Sequence, residues 1–162
     1  MALLTQVWPF PHIQWLGLLM DSVEVFQNVK PESTPKRKLF IVISSDKGLC
    51  GGIHSSVSKA TRRSITAGEN GGSTDSPIVV VGDKSKAQLS RALASNLSIT
   101  FNQIGRDIPT FADAAAVADL VVKSGIEYDG VVIVHNKFVS ALSYEPAVME
   151  VLNEEALKEA GA

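Results

Sequence analysis

The sequence predicts an α/β fold: an open, mostly parallel three-layer sheet of about five strands with flanking helices and an antiparallel last strand. Continuous apolar runs at 38–44, 77–81 and 130–134 are typical of strands that are buried on both faces. Segments with helical periodicity alternate with these runs. The chain has 162 residues, of which 45% are hydrophobic and 20% charged, enough for one domain and little more. We therefore expect a central α/β domain over residues 30–152.

The first strand and helix of this domain enclose a glycine turn. Residues 38–44 (KLFIVIS) are predicted as a central strand, and residues 45–52 (SDKGLCGG) as the turn that follows it. Apolar residues then recur at helical spacing from Ile53. The arginines at 62–63 suit the end of that helix, because cations are favourable near a helix C-terminus. The polar, glycine-rich stretch 66–76 predicts a surface loop.

The next part of the chain repeats the pattern of strand, helix and strand. Residues 77–81 (PIVVV) form a short buried strand, and the alternation at 97–101 indicates a third, half-exposed strand. Between them Ser85, with Gln88 three residues later, predicts a capping box that opens a helix. The apolar side chains expected on that helix are Leu89, Ala92 and Leu93.

The third helix has the clearest predicted start and end. Thr110 can act as its N-cap with Asp113 at the third helical position, and Gly125 marks its exit. We expect a single apolar face of this helix to pack on the sheet. That face consists of Phe111, Ala114, Ala115, Ala118 and Val122.

The last two strands are predicted to pair antiparallel. Residues 130–134 (GVVIV) indicate a buried strand, and residues 141–151 (ALSYEPAVMEV) a final strand that Pro146 confines to the edge of the sheet. The link between them, residues 135–140 (HNKFVS), is short enough for a hairpin.

The two ends of the sequence differ from the central domain. Residues 1–20 carry no charge, and prolines interrupt their apolar stretch, so the segment fits neither a secretory signal nor a membrane span. We expect residues 1–29 to be a poorly ordered N-terminal segment, without direct membrane insertion. Residues 153–162 (NEEALKEAGA) have almost nothing to bury, and we expect them to be a truncated C-terminal end.

Composition and motifs supply little chemistry. A net charge of −2 gives no broad basic surface for nucleic acid, and Cys50 is the single cysteine beside three histidines, without the spacing of a metal site. The glycines of the turn match neither a dinucleotide fingerprint nor a P-loop, although phosphate at the N-terminus of the following helix stays open. Ser45 and His54 lie close in sequence but lack the spacing of a triad. We predict no catalytic residue, no cofactor and no metal.

Four segments resemble the gamma subunit of rotary ATP synthases, in particular the mitochondrial, fungal type. The most specific is SSDKGLCGGIHSS at 44–56, and the others are VVVGDKSKAQLSR at 79–91, IGRDIPTFADAAAVAD at 104–119 and FVSALSYEPAV at 138–148. In that family a domain of this pattern lies at the foot of a coiled coil made by the terminal helices. This sequence departs from the family there, since residues 1–21 lack a basic, heptad-patterned helix and the chain ends before the last helix.

The resemblance implies a non-catalytic central-stalk (rotor) subunit that couples proton flow to ATP synthesis in partner subunits. The implied partners are the alpha and beta subunits of the catalytic head, the small delta and epsilon stalk subunits, and the membrane proton ring. The implied location is the matrix side of the mitochondrial inner membrane, as a peripheral protein. The subunit contact that we expect from the family consists of Asp46, Lys47, Gly48, Leu49, Cys50 and Gly51. The alternative is a stand-alone α/β domain that binds a nucleotide or phosphate at the glycine turn.

Overall fold

Five strands form one sheet in the computed structural model, which describes residues 37–47, 52–104, 108–140 and 143–151. All of these residues lie in the unit Pro31–Ala162. The strands are β1 Lys38–Ile43, β2 Ile78–Val81, β3 Leu97–Phe101, β4 Gly130–Ser140 and β5 Ser143–Val151. Their order across the sheet is β3-β2-β1-β4-β5, and only β4 and β5 pair antiparallel. The predicted sheet is therefore confirmed.

Three helices cover the two faces of the sheet. They are α1 Ile53–Ala67, α2 Asp83–Leu89 and α3 Phe111–Lys123, with short 3-10 turns at Glu69–Gly71 and Ala94–Asn96. Helices α1 and α2 share one core cluster with the sheet, whereas α3 contributes to the other. No helix in the described ranges is long and apolar enough to cross a bilayer. The three-layer arrangement follows from these two clusters.

Strand β1 is covered on both faces, which explains its continuously apolar sequence. Phe40 and Val42 are buried on the side of α1 and α2, while Leu39 and Ile41 belong to the cluster on the side of α3. Successive side chains of a strand point to opposite faces, so a strand covered on both faces needs apolar residues at every position.

The hairpin is longer than the sequence predicts. Residues 135–140, expected as a link, continue β4, and they pair with β5 through contacts such as His135 with Ala147 and Phe138 with Tyr144. Residues 141–142, between the two strands, lie outside the described residues. Pro146 lies in the edge strand opposite Asn136, as predicted.

The predicted capping box at Ser85 is wrong. Helix α2 begins at Asp83 after Gly82, with no side-chain cap, so Ser85 already lies inside the first turn. Ser85 is buried, and its hydroxyl accepts a hydrogen bond from Ser58 Oγ of α1 at 3.2 Å. The two small polar side chains therefore join α1 to α2. Helix α1 also runs past the arginines at 62–63 to Ala67, where Gly68 with φ +72° ends it.

The start of α3 is confirmed, but its buried face is not the predicted one. The Asp113 N–H donates to Thr110 Oγ1 at 3.3 Å, and the Thr110 N–H donates to Asp113 Oδ2 at 2.8 Å, which completes a capping box. Val121 is buried with Val117 beside it. The predicted face points away from the sheet, since Phe111 is 78% exposed. Because apolar residues surround most of this helix, periodicity alone does not select the face that packs.

Candidate functional site

The carboxyl ends of β1 and β4 are where this fold places its candidate site. Strand β1 lies between β2 and β4, so the connections from β1 and from β4 leave the sheet in opposite directions along the strand order. Open α/β proteins bind ligands in the crevice at such a switch point. Residues Ser44 to Lys47 follow β1 here, and Asn136 continues β4 beyond its pairing with β1.

Asn136 ties β4 to the first turn of α1. Its Nδ2 donates to the Ile53 carbonyl at 2.9 Å, and its Oδ1 accepts from Ser56 Oγ at 2.9 Å. Both polar atoms of the amide are therefore used within the domain, between two elements that lie 80 or more residues apart in sequence. The side chain thus joins β4 to the start of α1 through a carbonyl and a hydroxyl, not through the N–H groups of the helix N-terminus.

Asp46 plays a similar role for the loops after three strands. Its Oδ1 accepts from the Asp83 N–H at 3.0 Å, and its Oδ2 accepts from the Gln103 N–H at 2.6 Å. A carboxylate of the chain itself thus provides the negative charge at the first residue of α2. The loops after β1, β2 and β3 meet at this one half-buried side chain.

Gly82 allows the β1 and β2 loops to approach closely. Its φ is +103°, and a Cβ at this position would lie 2.6 Å from Ser44 Oγ and 2.8 Å from the Ser44 carbonyl carbon. Ser44 Oγ in turn donates to the Val81 carbonyl at 3.0 Å and accepts from the Ser85 N–H at 3.3 Å. Only glycine combines this backbone conformation with this contact.

The serine and histidine near the turn are in contact but are not arranged as a nucleophile and base. Ser45 Oγ lies 3.5 Å from His54 Nε2, at the limit of a hydrogen bond, whereas it donates to the Lys47 carbonyl at 2.7 Å. The serine proton is thus directed to the backbone. In the described ranges, no three histidine, cysteine or acidic side chains come together as metal ligands.

Two of the six expected contact residues are described, and they differ in environment. The Asp46 side chain is engaged by the loops around it, whereas Lys47 is exposed. The other four, Gly48, Leu49, Cys50 and Gly51, lie outside the described residues. The exposed cation is therefore the described part of the turn that is available to another molecule.

His135, the first residue of β4 beyond its pairing with β1, is half-buried, and both of its ring nitrogens are buried. Neither ring nitrogen has a hydrogen-bond partner within the described part of the chain. Burial, and next the nearby charge of Lys137, lower the pKa of His135 below its usual 6.5. The ring is therefore held neutral at physiological pH.

Sequence reasoning missed Asn136 and Gln103 as organising residues. Asn136 follows directly after the predicted strand 130–134, a position at which side chains meet those of neighbouring parallel strands. Its position just after a predicted buried strand could have identified Asn136 as a residue of the site. Gln103 contributes only a backbone N–H and has φ +57°, so its residue type carries no signal for this contact.

Comparisons with known proteins identify the family of this chain. The family model for ATP synthase matches residues 16–161. The mitochondrial ATP synthase gamma subunit of Pichia angusta is 44% identical over 115 residues, which are 71% of this chain and 40% of that protein. The corresponding subunit of Yarrowia lipolytica is 40% identical over 142 residues, 86% of this chain and 48% of that protein. The chain thus spans less than half the length of these relatives.

A solved structure of an ATP synthase also has a similar fold. A chain from the central stalk and c-ring of the Tetrahymena thermophila mitochondrial ATP synthase superposes with a TM-score of 0.66 at 29% identity. The match covers 87% of this chain and 60% of that one. A family model that matches residues 16–161 and a structural neighbour at 29% identity lead to one conclusion: the chain belongs to the gamma-subunit family of ATP synthases.

Proposed function

We propose that this chain works as part of the central stalk of a rotary ATP synthase, as a non-catalytic rotor subunit. In this role it couples proton flow to ATP synthesis in partner subunits. The observation that carries the proposal is its 40% identity, over 142 residues, with a mitochondrial gamma subunit. The domain supports the role because Asn136 and Asp46 are hydrogen-bonded within the domain, at the sheet edge where related folds hold a ligand.

The partners and location follow from the same proposal. The domain over residues 30–152 would contact the alpha and beta subunits of the catalytic head, the delta and epsilon stalk subunits and the membrane proton ring. It would work on the matrix side of the mitochondrial inner membrane as a peripheral protein. The names of the relatives, which are mitochondrial gamma subunits, support this placement.

The contact itself is proposed at the turn that begins with Asp46 and Lys47 and continues through Gly48, Leu49, Cys50 and Gly51. Asp46 supports the turn from within, because its carboxylate is held by backbone N–H groups of two other loops. Lys47 is exposed and suits an acidic surface of a neighbouring subunit. The hydrogen bonds of Asp46 hold the start of the turn in position, and the exposed charge of Lys47 is available to a partner. This geometry suits a contact that has to transmit torque without moving.

Co-isolation tests the assignment to the complex. An affinity-tagged copy of the full chain is produced in yeast, and the alpha, beta and ring subunits that co-isolate from solubilised mitochondria are quantified by mass spectrometry. We expect these subunits in stoichiometric amounts. Recovery of the chain without any ATP synthase subunit would contradict the proposed function.

A charge reversal tests the turn separately. Lys47→Glu should weaken the association by about tenfold, or about 1.4 kcal/mol, because it places like charges at the contact. The matched control is Lys123→Glu, an exposed lysine at the end of α3, away from the carboxyl ends of the strands. Equal recovery with both variants would refute the contact at the turn while leaving the family role intact.

Calorimetry with Mg-ATP addresses the alternative of a nucleotide-binding domain. Under the rotor proposal the full chain gives no saturable heat, since the turn matches no phosphate-binding motif. A stoichiometric binding heat in the low micromolar range would favour the alternative.

A further inference from the structure

The charges of the described residues are distributed unevenly between the layers. Helix α1, helix α2 and the two residues after α2 carry six cations and one acid, Asp83, whereas the remaining described residues carry five cations and nine acids. The whole chain has a net charge of −2. We call the six cations the basic face: Lys59, Arg62, Arg63, Lys84, Lys86 and Arg91. One helical layer of an acidic protein is therefore basic.

The basic face is directed away from the sheet. On α1 the buried residues follow one side of the helix, for example Val57, Thr61 and Ile65, which pack toward the sheet. Lys59 and Arg62 lie on the opposite side and are exposed. The three cations of the α2 region are exposed as well. Because Ser58 of α1 touches Ser85 of α2, the two helices form one continuous surface.

Few of these charges are neutralised within the domain. Arg63 pairs with Glu69 at 2.8 Å, and this is the single ion pair that the basic face makes among the described residues. Helix α1 contains no acidic residue at all. A cluster of like charges costs self-repulsion in the free domain, and a partner of opposite charge relieves it.

We propose that the basic face binds an acidic surface of a partner protein. The proposal rests on charge complementarity. The class of partner follows from the side chains that the face does not expose, which are large apolar and aromatic ones. Each large apolar side chain that the described ranges expose, such as Phe111 and Val122, lies outside α1 and α2. The face therefore has neither the apolar side chains that insert into a bilayer nor the aromatic rings that stack on nucleic-acid bases. An acidic protein surface needs neither.

This proposal does not depend on the turn at Lys47. The basic face lies on the helical layer, whereas Lys47 follows β1 at the carboxyl end of the sheet. Exposed charges act over the Debye length, so the interaction should be strong at low salt and weak at high salt. Its main effect should be on the association rate, as is usual for complementary charges at the rim of an interface.

The experiment measures binding of a fluorescent poly-L-glutamate peptide to the full chain by anisotropy. Titrations at about 0.01 M and about 1 M salt change the Debye length from about 30 Å to about 3 Å. The test variant is Lys59→Gln with Arg62→Gln, and the matched control, with the same change in net charge, is Lys123→Gln with Lys137→Gln. All four side chains are exposed, so thermal melting should show both variants folded.

We expect the wild type and the control variant to bind the peptide at low salt and to lose it at high salt. The test variant should bind about tenfold more weakly than the control at low salt, because it removes two of the six charges of the basic face. Equal affinity of the two variants would overturn the proposal, because net charge alone would then explain the binding. Tighter binding to phosphatidylserine vesicles than to the peptide, lost in the test variant only, would assign the face to a membrane and also overturn it.

Discussion

Replacing Asp46 with asparagine would show whether the loops at the carboxyl edge depend on one carboxylate. The side chain accepts the Asp83 N–H at 3.0 Å and the Gln103 N–H at 2.6 Å, and these donors belong to loops after two different strands. Asp46→Asn keeps the size of the side chain but removes the charge. One of its two acceptors becomes an NH₂ group that faces a backbone N–H.

The magnitude follows from these two hydrogen bonds. A hydrogen bond to a charged group contributes about 1.5–3 kcal/mol to stability, and a neutral one about 1 kcal/mol. The variant keeps one neutral bond and loses the other. Since Asp46 is half-buried, water compensates part of the loss, and we expect the free energy of unfolding to fall by about 2 kcal/mol. For a chain of this length that is about 4–8 °C in melting temperature.

Urea denaturation and thermal melting of the full chain measure the change, with Lys47→Gln as the control. Lys47 is exposed, so its substitution should change the free energy of unfolding by no more than about 0.5 kcal/mol. The denaturant slope should stay constant in both variants, because the surface exposed on unfolding does not change. If Asp46→Asn is as stable as Lys47→Gln, the carboxylate does not hold the loops together and the reasoning is refuted.

Three further changes test other parts of the fold. Thr110→Ala should cost about 1 kcal/mol by removing the capping box of α3, and Ser at this position should restore most of it; denaturant melts decide. Gly82→Ala should cost more than about 2 kcal/mol, since φ +103° is strained for any other residue and the new methyl meets the Ser44 backbone; a melting temperature equal to that of the wild type would contradict the close approach. The lowered pKa of His135 means that the unfolded chain binds a proton which the folded chain does not, so stability should fall as pH drops below about 6.5, and His135→Gln should flatten that dependence. A pH profile unchanged by the substitution would show that other groups control it.

Strands were the part of the fold that sequence predicted best. The runs at 38–44 and 77–81 correspond to β1 and β2 within one residue at each end. A strand covered on both faces must be apolar at every position, so few other structures fit such a short run between polar turns. The antiparallel hairpin was also predicted, but its length was not, because polar residues such as Asn136 and Lys137 hid the extension of β4.

The buried face of α3 needed information that periodicity does not contain. The sequence FADAAAVADLVVK is apolar on most sides, so several stripes satisfy a helical repeat. Val117 and Val121, one turn apart, pack in the core cluster on this face of the sheet, while Phe111 and Val122 remain exposed. Tertiary packing therefore determines which face of α3 is buried, which the local sequence pattern does not.

The hydrogen bonds of the candidate site could not be predicted from the sequence. The turn after β1 was expected to contact another subunit, which stays a prediction, and its described residues 45–47 follow β1 at the switch point of the sheet. The partners of Asp46 lie 37 and 57 residues away in sequence, so only the strand order brings them together. A contact that depends on topology and on backbone N–H groups leaves no signature in residue types.

The hydrogen bonds at this edge of the sheet bear on how the domain would work as part of a rotor. A site that bound an anion would leave N–H groups free for it, but here Asp46 accepts hydrogen bonds from two of them. Asn136 joins separate elements through the Ile53 carbonyl and the Ser56 hydroxyl. A force applied at the exposed Lys47 passes at once to Asp46, and from there to the backbone at Asp83 and Gln103. The load is thus shared by the loops after three parallel strands instead of bending one turn. Under the proposed function, Asp46→Asn should therefore reduce coupling between proton flow and ATP synthesis even at temperatures where the variant is fully folded. Thr110→Ala, which costs about 1 kcal/mol at the start of α3, should leave the coupling unchanged at such temperatures.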